Sequence, residues 1–107
     1  MLFHVTMTHT EDNCPVYDGE KMPAVLESFE NLEALGDELG IELHYFTWCG
    51  PAHTAFVLVE ADSLSAVSRY LFSIPMKHDM DVVPVEHLDD SVAMAKAAAK
   101  LKKMKKK

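Results

Sequence analysis

The hydrophobic period changes five times along this chain, switching between the two-residue alternation of a half-buried strand and the three-to-four-residue spacing of an amphipathic helix. Few folds accept that succession. Residues 2–9, Leu-Phe-His-Val-Thr-Met-Thr-His, put Phe3, Val5, Met7 and His9 on one side and His4, Thr6 and Thr8 on the other, which predicts a first strand. A loop rich in turn formers follows to Gly19. Val25, Leu26, Phe29, Leu32, Leu35 and Leu39 then recur at helical steps, with Pro23 suited to a first turn and Gly40 to a stop, so one helix is predicted there. Ile41 to Trp48 and His53 to Glu60 are rich in β-branched and aromatic residues and predict a hairpin through Cys49-Gly50-Pro51-Ala52. Leu64, Val67, Tyr70, Leu71 and Ile74 predict a second helix, capped by Asp62 or Ser63 and broken at Pro75. A fourth strand is expected over Asp81 to Leu88, then a last helix from Ser91, capped by Asp89 or Asp90.

The order is βαββαβ plus a terminal helix, an α+β pattern that predicts the ferredoxin-like arrangement of two interleaved βαβ units. Right-handed crossovers give a four-stranded antiparallel sheet in the order 4-1-3-2. A length of 107 residues with 49% hydrophobic content suits one compact domain over residues 1–90, with 91–107 as a C-terminal helix and lysine-rich tail. One layer of helices covers only one face of such a sheet. Yet simple alternation sets Ile41, Leu43 and Tyr45 against His44, Phe46 and Trp48, and Val57 and Val59 against Phe56 and Leu58. Both faces are bulky, so a second copy is expected on the open one.

Charge narrows the partners. Residues 1–95 hold all 17 acidic side chains against three cations, Lys21, Arg69 and Lys77, a formal −14, while residues 96–107 hold seven lysines and no acid. So acidic a body repels nucleic acid, which leaves the lysine tail as the one segment suited to an anionic partner. The N-terminal segment lacks the pattern of a signal peptide and no window approaches a membrane span, so a cytoplasmic protein is expected. Cys14 and Cys49 form neither a CxxC pair nor a zinc-finger spacing.

Strand direction brings one set of residues to a single edge. His9 and Cys14 follow strand one, Trp48 and Cys49 end strand two, His53 starts strand three, and His78 and Asp79 precede strand four. Imidazole and thiolate both ligate transition metals, so His9, Cys14, His53 and His78 are the candidate metal ligands. The same four are the candidate catalytic groups, because an imidazolium beside Cys14 would activate its thiolate. Cys49, Trp48 and Asp79 are expected to line the site, with Asp79 or Asp81 as an orienting carboxylate and Tyr17 able to orient or protonate a substrate. His4, His44 and His87 lie inside predicted strands and are read as packed histidines.

The opening Met1-Leu2-Phe3-His4-Val5 with Met7-Thr8, Trp48 ahead of Gly50, and Leu71-Phe72-Ser73-Ile74-Pro75 before Met80-Asp81 resemble the dimeric α/β-barrel superfamily, and muconolactone isomerases within it. The segment Thr8 to Pro15 differs from the isomerase pattern and is similar to uncharacterised barrel proteins. That resemblance implies two sheets packed face to face in a homodimer, and a small-molecule enzyme of isomerase or monooxygenase type. The cofactor expectation is a transition metal, a haem, or none. Two non-catalytic readings stand beside the enzyme: a metal- or haem-binding storage or sensor module, and a plain oligomerisation protein.

Overall fold

The computed structural model describes residues 1–105; Lys106 and Lys107 of the lysine tail lie outside them. Strands β1 (Leu2–Thr8), β2 (Glu42–Cys49), β3 (Thr54–Glu60) and β4 (Asp79–Val85) form one sheet in the order β2-β3-β1-β4. All three pairings are antiparallel. This is the expected 4-1-3-2 order read from the other edge, and the fold is ferredoxin-like. Helices α1 (Met22–Glu30), α2 (Leu32–Leu39) and α3 (Leu64–Phe72) supply the core from one face, and α4 (Leu88–Lys105) follows β4.

The core lies where the predicted apolar faces meet. Phe3, Val5 and Met7 of β1 and Ala55, Val57 and Val59 of β3 are buried against Leu32, Val67, Tyr70, Leu71 and Ile74. Burying such side chains is worth about 1.5–3 kcal/mol each, the main force holding helices to sheet. Ser63 caps α3 as predicted, its Oγ accepting from the Ala66 N–H at 3.1 Å.

Three local expectations are corrected. The single first helix is two, interrupted at Asn31, a residue whose side chain competes with helical backbone hydrogen bonds. Within α2, buried Gly36 approaches α3 closely: a Cβ there would sit 3.2 Å from the Ile41 carbonyl oxygen and 3.4 Å from Tyr70 Cε1. Strand four begins at Asp79 and ends at Val85, and α4 starts at Leu88, so Asp89 and Asp90 lie within its first turn instead of capping it. There they still complement the helix dipole.

The third correction concerns β2. Leu43 pairs with Val59 but Tyr45 pairs with Leu58, leaving His44 as the extra residue of a β-bulge. Beyond the bulge the faces invert. Phe46 and Trp48 join Leu43 on the helix side, where Phe46 meets Phe29 edge-on with ring centroids 5.8 Å apart. Tyr45 moves to the open side with Phe56, Leu58 and Val83, so the bulge exchanges Phe46 and Trp48 for Tyr45 on that face. Tyr45, Phe56 and Val83 keep 39%, 41% and 45% exposure. Among the described residues no helix is long and apolar enough to cross a membrane.

Candidate metal centre and adjoining cleft

Just past the end of β1, the His9 N–H donates to the His53 carbonyl at 3.2 Å, carrying the β1–β3 ladder one step further. His53 is therefore not the first residue of β3, as simple alternation predicts. It closes a tight turn over Gly50–Ala52, with its N–H on the Gly50 carbonyl and its backbone in the left-handed region at φ 51°. Few residues other than glycine adopt that conformation, although histidine does so more readily than most. With this geometry the His53 imidazole faces His9: Nδ1 of His53 lies 3.2 Å from Nε2 of His9, with the rings edge-on.

Cys14 arrives from the loop after β1 through two successive 3₁₀ turns. Its N–H donates to the Glu11 carbonyl and its own carbonyl accepts from the Tyr17 N–H, both at 3.1 Å, while Asn13 Nδ2 donates to Thr10 Oγ1 at 3.0 Å. The thiol is buried. Its sulfur and one ring nitrogen each of His9 and His53 all lie within 4.8 Å of one another. Trp48 stacks over His9 at 5.4 Å between centroids and 18° between planes, fixing that ring from the side.

Burial first, then the neighbouring His53 and His78, hold the pKa of His9 below the ordinary 6.5. The ring is neutral at pH 7, the form that ligates a metal or accepts a proton. His78 is shifted the same way by burial, opposed in part by the Met76 backbone and the Asp79 carboxylate. Neither of its buried ring nitrogens reaches a partner in hydrogen-bonding geometry. His9, Lys77, His78 and Asp79 share a cleft of about 400 Å³. On the other side, Cys14 and Trp48 also border an apolar groove of about 550 Å³ between α1 and β2.

The structure thus brings together His9, Cys14 and His53, seats Trp48 upon them, and places His78 and Asp79 in the adjoining cleft. Cys49 is exposed at the end of β2 and stands apart from the group, while Tyr17 is exposed. Asp81 pairs with Thr6, two strand positions away from Asp79. A second group of side chains able to ligate a metal, Glu42, His44 and Glu60, lies on the exposed side of the bulge. Its only sequence signal would have been that bulge, which alternation does not reveal. Tyr70, read as an ordinary apolar helix residue, is fully buried with a hydroxyl lacking a hydrogen-bond partner among the described residues, and burial raises its pKa.

Two nitrogens bound at about 2.0–2.1 Å to one tetrahedral ion sit about 3.3 Å apart. The 3.2 Å between His9 and His53 fits that spacing, and the Cys14 sulfur lies within 4.8 Å of a nitrogen of each ring. Without an ion the same contact is a hydrogen bond in which one imidazole donates to the other.

Comparison with known proteins gives a family and a fold. A family model described as a domain of unknown function, DUF3303, matches residues 1–99. No curated protein matches the sequence. Among solved structures, muconolactone isomerase is 20% identical, with 82% of this chain and 92% of that one covered, at a TM-score of 0.56. The de novo designed protein Ferredog-Diesel is 13% identical over 78% of this chain and 85% of its own, at 0.50. At these identities the likeness is one of fold, and it agrees with the barrel resemblance carried by the sequence segments.

Proposed function

Since the chain belongs to the DUF3303 family, whose description assigns no activity, we propose a function from its own residues: a homodimeric barrel protein that binds one transition-metal ion through His9, Cys14 and His53. The observation that carries this reading is the convergence of one ligand atom each from His9, Cys14 and His53 within 4.8 Å of one another, beside an approach of His53 Nδ1 to His9 Nε2 at 3.2 Å. Donors that converge on one point suit an ion better than a haem, which takes one or two axial ligands. Mixed nitrogen and sulfur ligation selects zinc, copper or a neighbouring late transition metal over calcium or magnesium.

Three protein ligands leave a coordination position free, the pattern of catalytic rather than structural sites. When bound there, an ion supplies Lewis acidity or a water of lowered pKa. The chain contributes the cleft beside it, where His78 is a neutral base or acid and Lys77 and Asp79 orient a small polar substrate. We therefore favour a metal-dependent enzyme over storage or sensing.

A cofactor-free isomerase-like site is the second reading. It is favoured by His78, a buried histidine with both nitrogens unengaged and a lowered pKa that keeps the ring neutral and free to accept a proton. The homodimer rests on the open sheet face, where His4 lies between Tyr45 and Phe56 at 6.4 and 6.3 Å and, among the described residues, no helix packs extensively on the cluster. An uncovered aromatic face of this kind is satisfied by a like face.

Titration of untagged, chelator-stripped protein with Zn²⁺, Co²⁺, Ni²⁺ and Cu²⁺ tests the metal reading. One ion per chain is expected, with affinity falling about tenfold or more in His9→Ala, Cys14→Ser and His53→Ala. Equal binding by wild type and all three variants would refute the site. Stoichiometric metal with no turnover across polar small-molecule substrates would move the reading to storage or sensing.

A further inference from the structure

We propose that α4 is a clasp: the helix of one protomer lies in the apolar groove between α1 and β2 of a second copy of this chain. The inference rests on the homodimer reading and adds to it a second, specific contact surface. Its starting point is a helix with nothing to hold it. Among the described residues α4 packs extensively on no other element. The chain consequently spans 69 Å and has a radius of gyration of 18.4 Å, against about 13 Å for a compact domain of this size.

The helix carries a narrow apolar stripe. Met94, Ala97, Ala98, Leu101 and Met104 recur at steps of three and four and form one apolar stripe. Leu101 and Met104 are 55% and 65% exposed. Lys96, Lys100 and Lys103 occupy the other side of the helix.

The groove offers the complementary surface. Its lining is almost wholly apolar, and Val16, Leu26, Leu43 and Trp48 remain exposed along it. Its one charged lining residue is Glu33. A lysine-flanked apolar stripe and an apolar groove bearing Glu33 match in hydropathy and in the sign of their charge.

Topology supplies the route. The free edges of the sheet are β2 and β4. Two such sheets packed face to face and closed into a barrel bring β4 of one protomer beside β2 of the other. Helix α4 starts three residues after β4 ends, and the groove flanks β2. At about 1.5 Å per residue its 18 residues reach about 27 Å. The partner's helix would then close the apolar side of the His9–Cys14–His53 site, leaving the polar cleft open.

The test uses full-length chains in a Cys49→Ser background, with Leu101→Cys in one preparation and Leu26→Cys in another. Mixing them with a short bismaleimide linker should yield the mixed covalent dimer as the main product. Separately, Leu101→Glu should weaken dimerisation about tenfold or more, read by sedimentation, with an unchanged circular dichroism spectrum. A stable wild-type dimer that gives no mixed product, or that Leu101→Glu leaves unchanged, overturns the clasp while the face-to-face dimer stands. A wild-type chain that sediments as a monomer at micromolar concentration overturns both. Cross-linking within one chain of the doubly substituted Leu26→Cys, Leu101→Cys protein, as a monomer, shows the helix on its own groove and overturns the clasp as well.

Discussion

Nδ1 of His53 and Nε2 of His9 lie 3.2 Å apart, although 44 residues separate them in the chain. Their approach follows from β1–β3 pairing, which ends at Thr8 and Thr54 and leaves one histidine on each strand end. The backbone bond from His9 to His53 then fixes the distance.

The first prediction concerns pH. Burial lowers the pKa of both His9 and His78 below the unfolded 6.5, so between the folded and unfolded values the unfolded chain binds more protons. The stability tied to these two neutral rings is fully present above about pH 6.5 and is lost as pH falls through their folded values. Urea midpoints measured from about pH 8 to 5 should therefore hold steady and then decline, and a His9→Asn, His78→Asn double variant should flatten the decline. Identical profiles for the two proteins would show that neither ring is shifted.

Trp48 provides an optical probe, being the chain's sole tryptophan and stacked on His9. Paramagnetic Cu²⁺ or Co²⁺ bound by His9, Cys14 and His53 should quench its fluorescence with one-to-one saturation. In Cys14→Ser the titration should shift to about tenfold higher metal or vanish. Quenching that survives unaltered in His9→Ala would place the ion elsewhere, with Glu42, His44 and Glu60 the first alternative.

The positive φ of His53 separates structural from ligand roles. His53→Gly removes the imidazole while suiting the backbone, so its unfolding free energy should stay within about 1 kcal/mol of wild type although metal binding is lost. His53→Val removes the same ligand but forces a β-branched residue into the left-handed region, and should cost about 1–2 kcal/mol more than glycine. Denaturant titration of the two metal-free variants checks the order. Valine as stable as glycine would mean the turn relaxes.

The open sheet face carries the dimer prediction. Phe56 lies at its centre, opposite Thr6 and Thr47, and remains 41% exposed in one chain. Phe56→Glu should convert a dimer into a folded monomer, read by sedimentation mass, since buried interface aromatics dominate association energy. A wild-type dimer that survives this substitution would require another interface.

Much of the fold was legible because the periodicities are unambiguous: Phe3, Val5 and Met7 are buried on the side that alternation assigns them, and Gly40 ends α2 with a left-handed φ. Tyr45 went to the wrong face because a bulge shifts register by one residue, and no residue type at His44 announces it. The interruption at Asn31 was hidden by an apolar spacing that continues through it. At the site, strand direction was enough to collect His9, Cys14 and His53 at one edge. It did not distinguish Cys49, which shares that edge yet is exposed, because a strand-end residue's side is set by pairing and turn geometry instead of position alone. The unsatisfied nitrogens of His78 are a property of packing that no sequence spacing encodes.

X-ray absorption at the metal edge of the protein loaded with one equivalent of zinc tests the central claim most directly. The account predicts a first shell with one sulfur at about 2.3 Å and two imidazole nitrogens at about 2.0–2.1 Å, the sulfur disappearing in Cys14→Ser. A shell of oxygen and nitrogen without sulfur in the wild-type protein, or no retained ion at all, would contradict it.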